Sequence, residues 1–226
     1  MRNNKPRFGV AKMAAVKKLF QDEMNEVQKM IVEMDWKDPE FYAEWLAQTY
    51  FFVCHSTRII ATAGVKFPIE RNALHNQFLH HASEEKNHEI IAIKDLKHLG
   101  RDISEFNPLP ATQAFYQSQY YWIDQVSPAS VYGYFLVLEC LAIHCGPALM
   151  EKLTPHHPPK SLNFLRIHVE DDVEHIEEHN EILETFNKEE TKQIVENLKV
   201  SAFMYIQILK SVEEKVRAKK SLKKSA

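Results

Sequence analysis

The chain has 226 residues, enough for one large domain or two small ones. A net charge of −3 gives no global basis for binding nucleic acid, and only 5 Gly argue against a glycine-punctuated β fold. The 3 Cys (Cys54, Cys140 and Cys145) lack paired spacing, which argues against a disulfide framework and fits a reducing compartment.

The N-terminus is basic, but Lys interrupts its apolar residues, so it lacks the continuous apolar core of a secretory signal. A cytoplasmic protein is expected. The first predicted helix spans Val10 to Met34, with Met13, Val16, Leu19, Phe20, Met24, Val27 and Ile31 on one packing stripe. Asp38-Pro39-Glu40 then supplies an N-cap, a Pro at the first helical position and an acidic first turn. A second helix follows to Val65, bulky and apolar around His55; Tyr50 and His55 are candidates for a pocket wall.

Phe67-Pro68 breaks the chain, and a third helix is expected from Ile69 to Leu99 with Gly100 as C-cap. A looser segment with Pro108 and Pro110 leads to an aromatic helix from Ala111 to Gln125. Ser127-Pro128 starts a helix reaching Lys152, in which Glu139 is the only formal charge from Pro128 to Met150. Its length suits a membrane span, but the central carboxylate, the Gly146-Pro147 interruption and the amphipathic neighbours favour a buried central helix. After the turn TPHHPPK, another helix runs from Ser161 to Phe186. Asn187 and Glu190 form a capping pair for a last helix ending near Arg217, followed by a basic, solvated tail. The whole reads as an all-α, single-domain bundle of about seven helices.

The stretch Leu165–Asn180, LRIHVEDDVEHIEEHN, carries the densest chemistry. His168, Asp172 and His175 fall at i, i+4 and i+7 and share one helical face. With His168 at zero, Asp172 projects at about +40° and His175 at about −20°, within the sector that holds Phe164, Leu165, Ile182, Leu183 and Phe186. Polar groups on a core-facing stripe are costly unless paired or metal-bound. Asp171 lies at the margin, and His179 extends the row or supports it. In the Ile69–Leu99 helix, Glu85 and His88 share the inward face as Glu-x-x-His. His81 also points inward, and Glu84 is a weaker candidate. Glu139, isolated in an apolar helix, stays ionised only beside a cation: a metal, or an Arg such as Arg58 or Arg166.

Glu85, His88, Glu139, His168, Asp172 and His175 thus assemble carboxylates and imidazoles from separate helices. Such sets inside helical bundles hold pairs of iron or manganese ions.

At these residues the sequence resembles the haem-oxygenase-like diiron oxidases, also called iron-containing redox enzymes, which are related in fold to haem oxygenases and TenA thiaminases. The resemblance spans roughly residues 10–215 and is carried by His168-x-Glu170-x-Asp172-Val173-x-His175, the lone Glu139, and Glu84-Glu85-x-x-His88 followed by Asp95-Leu96 and Leu99-Gly100. It implies a haem-oxygenase-like domain over 10–217, with residues 1–9 an N-terminal extension and 218–226 a basic tail. It implies two Fe ions (Fe2+/Fe3+), with Mn an alternative, held by Glu85, His88, Glu139, His168, Asp172 and His175; the choice between Glu84 and Glu85 stays open. The implied activity is O2-dependent oxidation of a small organic substrate, with no nucleic-acid or membrane partner, and the fold is compatible with a homodimer. The alternatives are a metal-free TenA-like hydrolase, which would depend on Cys140 or Cys145, and a non-enzymatic helical binding protein. The helix Val10–Met34 has no His, unlike the first helix of a haem oxygenase.

Overall fold

The computed structural model describes residues 23–169 and 182–224. Asp172, His175 and His179, with Asp171, Glu170 and Val173, lie outside the described residues, as do residues 1–22, on which the first part of the expected helix Val10–Met34 falls, and residues 225–226.

Helix α1 covers 23–33 and buries Met24, Val27 and Ile31, the end of the expected stripe. The Asp38 carboxylate accepts from the Glu40 N–H and caps α2, Pro39–Val53. The expected single helix to Val65 is in fact two, because α3 restarts at Ser56–Lys66. No Gly or Pro marks this break. Local side chains satisfy the exposed carbonyls instead: Cys54 Sγ reaches Phe51 O, and Arg58 donates to Cys54 O at 2.8 Å. His55, at the joint, stacks on Tyr116 at 3.9 Å between centroids and pairs with the Tyr120 hydroxyl.

The helix expected over Ile69–Leu99 is also divided. A 3-10 turn, Ile69–Arg71, leads into α4, Asn72–Glu84, and α5 is His88–His98. Asn87 sits between them with φ of 73°, a left-handed conformation that Asn tolerates better than most residues. Gly100 closes α5, also at φ 73°, with its N–H on Lys97 O and the Arg101 N–H on Leu96 O.

Helix α6, Pro110–Tyr121, ends in a π-helical turn, Trp122–Val126, rather than continuing as α-helix. Ser127 Oγ accepts from the Ala129 N–H, and a 3-10 turn, Pro128–Val131, feeds α7, Tyr132–Leu153. The segment Pro128–Leu153 is, among the described residues, the one helix long and apolar enough to cross a membrane. Its most apolar window is 61% buried inside the molecule, as expected of a central core helix. Helix α8 opens at 163 and is described through 169; residues 182–185 are again helical.

Asn187 and Glu190 cap α9 reciprocally: the Asn187 side chain accepts from the Glu190 N–H, and the Glu190 carboxylate accepts from the Asn187 N–H. Helix α9 runs from Lys188 to Lys224, well past the expected end near Arg217. The basic residues of its last turns are exposed, as expected of a solvated tail, and several of them, with Lys215 before them, meet acidic groups of α2 and its cap. Lys215 meets Glu44, Lys219 meets Glu40 and Lys220 meets Asp38, at 2.9, 2.6 and 2.6 Å. Helix α9 lies against α7, α6 and α2, α3 against α4, and α2 against α5. Gly133 permits the close approach of α9: a Cβ there would overlap Ile194 O and Leu198 N.

Candidate metal centre

The break between α4 and α5 builds the centre. Glu85 lies in the turn itself and His88 opens α5, so both carry side chains inward. His88 Nδ1 is 3.4 Å from Glu85 Oε2. One turn earlier, His81 Nε2 is 3.9 Å from Glu85 Oε1 and 3.6 Å from Glu139 Oε1 on α7. His168 arrives on α8 with its ring 4.9 Å from that of His88. Ligating atoms of Glu85, His88 and His168 all lie within 4.8 Å of one another. Glu85 therefore stands between two imidazoles, with one oxygen towards each.

The supporting contacts orient these groups. His168 Nδ1 pairs with Phe164 O at 2.7 Å, which leaves Nε2 directed away from its own helix backbone. The start of α8 is held in turn by Asp95, fully buried on α5: Oδ2 accepts from the Phe164 N–H at 2.7 Å and Oδ1 from the Asn163 amide at 3.1 Å. Gly146 on α7 faces Val169, and a Cβ there would overlap Val169 Cγ2. These contacts bring α8 against α5 and α7 at the level of His168.

Burial pushes the Glu85 carboxyl upward, but the His88 hydrogen bond and the charges of His81, His168 and His88 outweigh it and hold the group down to about 2. Glu85 is thus an anion throughout the neutral range. A mixed set of imidazoles and carboxylates, enclosed among apolar residues, has the donor chemistry that iron and manganese take. The residues present therefore fit such a metal.

Of the sequence candidates, the fold brings Glu85, His88, Glu139 and His168 to one place, and Asp172 and His175 lie outside the described residues. Glu84 faces the other way and meets His80 at 3.2 Å, where the His80 side chain is 71% exposed. His81, left open from sequence, joins the cluster. Arg58 and Arg166 are engaged elsewhere, with Cys54 O and Asn163, while Glu139 meets His81.

His81, Glu85, Glu139 and His168 of the cluster line an open cavity. Trp45, Phe52, Leu141 and Leu149 contribute to a mainly apolar wall. Among the described residues lining it there is no Lys or Arg. Tyr50 and His55, expected as pocket formers, are not among them; His55 is spent on Tyr116 and Tyr120. Thr49 and Tyr134 line the cavity and were missed from sequence, since each sits in a run of bulky or apolar residues that reads as packing.

The family model for iron-containing redox enzymes matches residues 43–204. No curated protein matches the chain in sequence. Among solved structures, a domain of unknown function with a haem-oxygenase-like fold from Shewanella denitrificans superposes with a TM-score of 0.80 at 23% identity, covering 91% of this chain and 94% of its own. A TenA homologue from Pseudomonas syringae gives 0.70 at 12% identity, covering 88% and 93%. Another from Pyrococcus furiosus gives 0.70 at 14% identity, covering 87% and 98%. At such identities the likeness is one of fold, and the fold is all-α and haem-oxygenase-like. The family match covers most of the chain and includes each of the clustered residues, so the protein belongs to the iron-containing redox enzyme family.

Proposed function

We propose that the protein is an O2-dependent non-haem diiron oxidase or oxygenase acting on a small organic substrate. The observation that carries this reading is the meeting of Glu85, His88 and His168 within 4.8 Å, beside His81 and Glu139, on the wall of a mainly apolar cavity. Iron, when bound, would supply the binding and stepwise reduction of O2; manganese suits the same donors.

The chain's own residues set the conditions. Glu85, held ionised, presents Oε1 on the His81 side and Oε2 on the His88 side, and would help to hold the metal. Glu139 adds a second buried carboxylate on the His81 side. His168, anchored through Nδ1, offers Nε2. In this reading Asp172 and His175 complete the ligand set. The apolar wall excludes water and holds the substrate against these polar groups.

A metal-free TenA-like hydrolase has weaker support. Cys145 lines the cavity, but burial pushes its thiol up to about 11, which leaves little thiolate near neutrality. Cys140 is not among the described lining residues.

Anaerobic titration with Fe(II), followed by exposure to O2, tests the proposal. Saturation near two irons per chain and a transient absorbance after O2 are expected. Absence of stoichiometric binding would sink it.

A further inference from the structure

Among the described residues, four with hydroxyls, Thr49, Ser56, Tyr134 and Tyr205, interrupt the apolar wall of the cavity, and the Tyr205 hydroxyl is taken up by Trp45 Nε1. Thr49 on α2 is 2% exposed and Tyr134 on α7 is 1% exposed. Neither Thr49 Oγ1 nor Tyr134 Oη has a hydrogen-bond partner among the described residues. Leaving a buried hydroxyl unsatisfied costs about 1–3 kcal/mol. Val and Phe would fill the same volumes without that cost, so packing alone does not account for the choice of Thr and Tyr. A molecule in the cavity that carries a polar atom would account for it.

The character of that atom follows from the rest of the lining. The described wall has no Lys or Arg, and its imidazoles are engaged, His81 with Glu139 and Glu85 and His168 with Phe164 O, so an anionic group beside Thr49 and Tyr134 would be desolvated without a dedicated counter-charge. A phenol O–H donates, and a threonine hydroxyl either donates or accepts. Both suit a neutral oxygen. The aliphatic and aromatic wall suits an apolar remainder.

We propose that Thr49 and Tyr134 form a recognition subsite for an uncharged oxygen, hydroxyl or carbonyl, on an otherwise apolar substrate. This assignment rests on reading the cavity as the substrate site of the proposed oxidase. It assigns the substrate's oxygen to the part of the cavity wall contributed by Thr49 on α2 and Tyr134 on α7.

The test uses the full-length chain without metal. Trp45 is part of the wall, so tryptophan fluorescence reports occupancy. The probes are 2-decanone, decan-1-ol, 1-decene, decanoate and decylammonium. The ketone and the alcohol should bind more tightly than the alkene. Tyr134→Phe and Thr49→Val should each weaken ketone binding about five- to tenfold while leaving the alkene unchanged. Both metal-free variants should melt at or above the wild-type temperature, because an unsatisfied polar atom has been removed. The proposal is overturned if neither oxygenated probe binds, if both variants bind the ketone like wild type, or if decanoate or decylammonium binds most tightly. A fall in melting temperature would also overturn it, since that would reveal a structural partner for the hydroxyl. Iron is absent throughout, so failure of this subsite and failure of the iron titration are read separately.

Discussion

The Asp95 carboxylate, fully buried on α5, accepts a 2.7 Å hydrogen bond from the backbone N–H of Phe164 at the start of α8. The Phe164 carbonyl then pairs with His168 Nδ1. Asp95 is therefore coupled through the backbone to the orientation of a candidate ligand that it does not touch. Removing a buried cap leaves an unsatisfied N–H, and Asp95→Ala should cost about 1–3 kcal/mol in urea unfolding at unchanged slope. The same variant should bind Fe(II) more weakly.

Burial raises the Asp95 pKa above its ordinary value, against the opposing pull of the Phe164 N–H and the Asn163 amide. The folded protein thus keeps this proton to higher pH than the unfolded chain does. Its contribution to stability is present at the acid end and falls as pH rises from the ordinary value through the raised one. Asp95→Asn should flatten this slope, as read from urea midpoints across the acid range.

Gly146 and Val169 make a second clamp on α8. An alanine at 146 would force its Cβ into Val169, and overpacking of this kind costs about 1–3 kcal/mol. Gly146→Ala should lower both stability and Fe(II) affinity. Adding Val169→Ala should restore much of both, and a double-mutant cycle measures the coupling. Equal losses in the single and double variants would count against a steric origin.

The neighbouring carboxylates Glu84 and Glu85 offer a direct contrast. Glu85 lies between His81 and His88, while Glu84 meets His80 at the surface. Glu85→Gln should abolish high-affinity Fe(II) binding in an anaerobic titration. Glu84→Gln should leave the stoichiometry intact and shift stability by no more than about 0.5 kcal/mol.

The far end of α9 is held to α2 by charge. The Lys219 hydrogen bond, with help from Arg101, outweighs partial burial and keeps the Glu40 carboxyl below its ordinary range. A depressed carboxyl contributes stability above its ordinary pKa and loses it as pH falls through the depressed value. The pair is partly exposed, so its worth is about 0.2–1 kcal/mol and screened by salt. Lys219→Ala should speed amide exchange in the last turns of α9 at neutral pH. The difference from wild type should shrink in acid and at high salt.

Much of the fold could be read along the chain. Capping at Asp38, Ser127 and Asn187, the Gly100 stop and the apolar run around Glu139 each depend on neighbours in sequence, and each appears in the structure. The inward faces of Glu85, His88 and His168 were also legible, because a helical projection needs only one axis. The breaks at Cys54-His55 and Glu85-Asn87 were not. At the first, side chains supply the missing hydrogen bonds without Gly or Pro. At the second, Asn87 was the one local signal, and a single Asn in a polar stretch carries little weight.

The sequence by itself therefore determined where the chain is helical, apart from those breaks, with its buried faces and the residue types able to hold a metal. Tertiary packing decided which of those residues meet. Periodicity gives a direction from one helix axis, whereas distances between helices depend on how their surfaces interlock, here through Asp95 with Phe164 and Gly146 with Val169. That packing drew His81 into the centre, left Glu84 with His80, and turned Thr49 and Tyr134 from apparent filling into the polar part of a cavity wall.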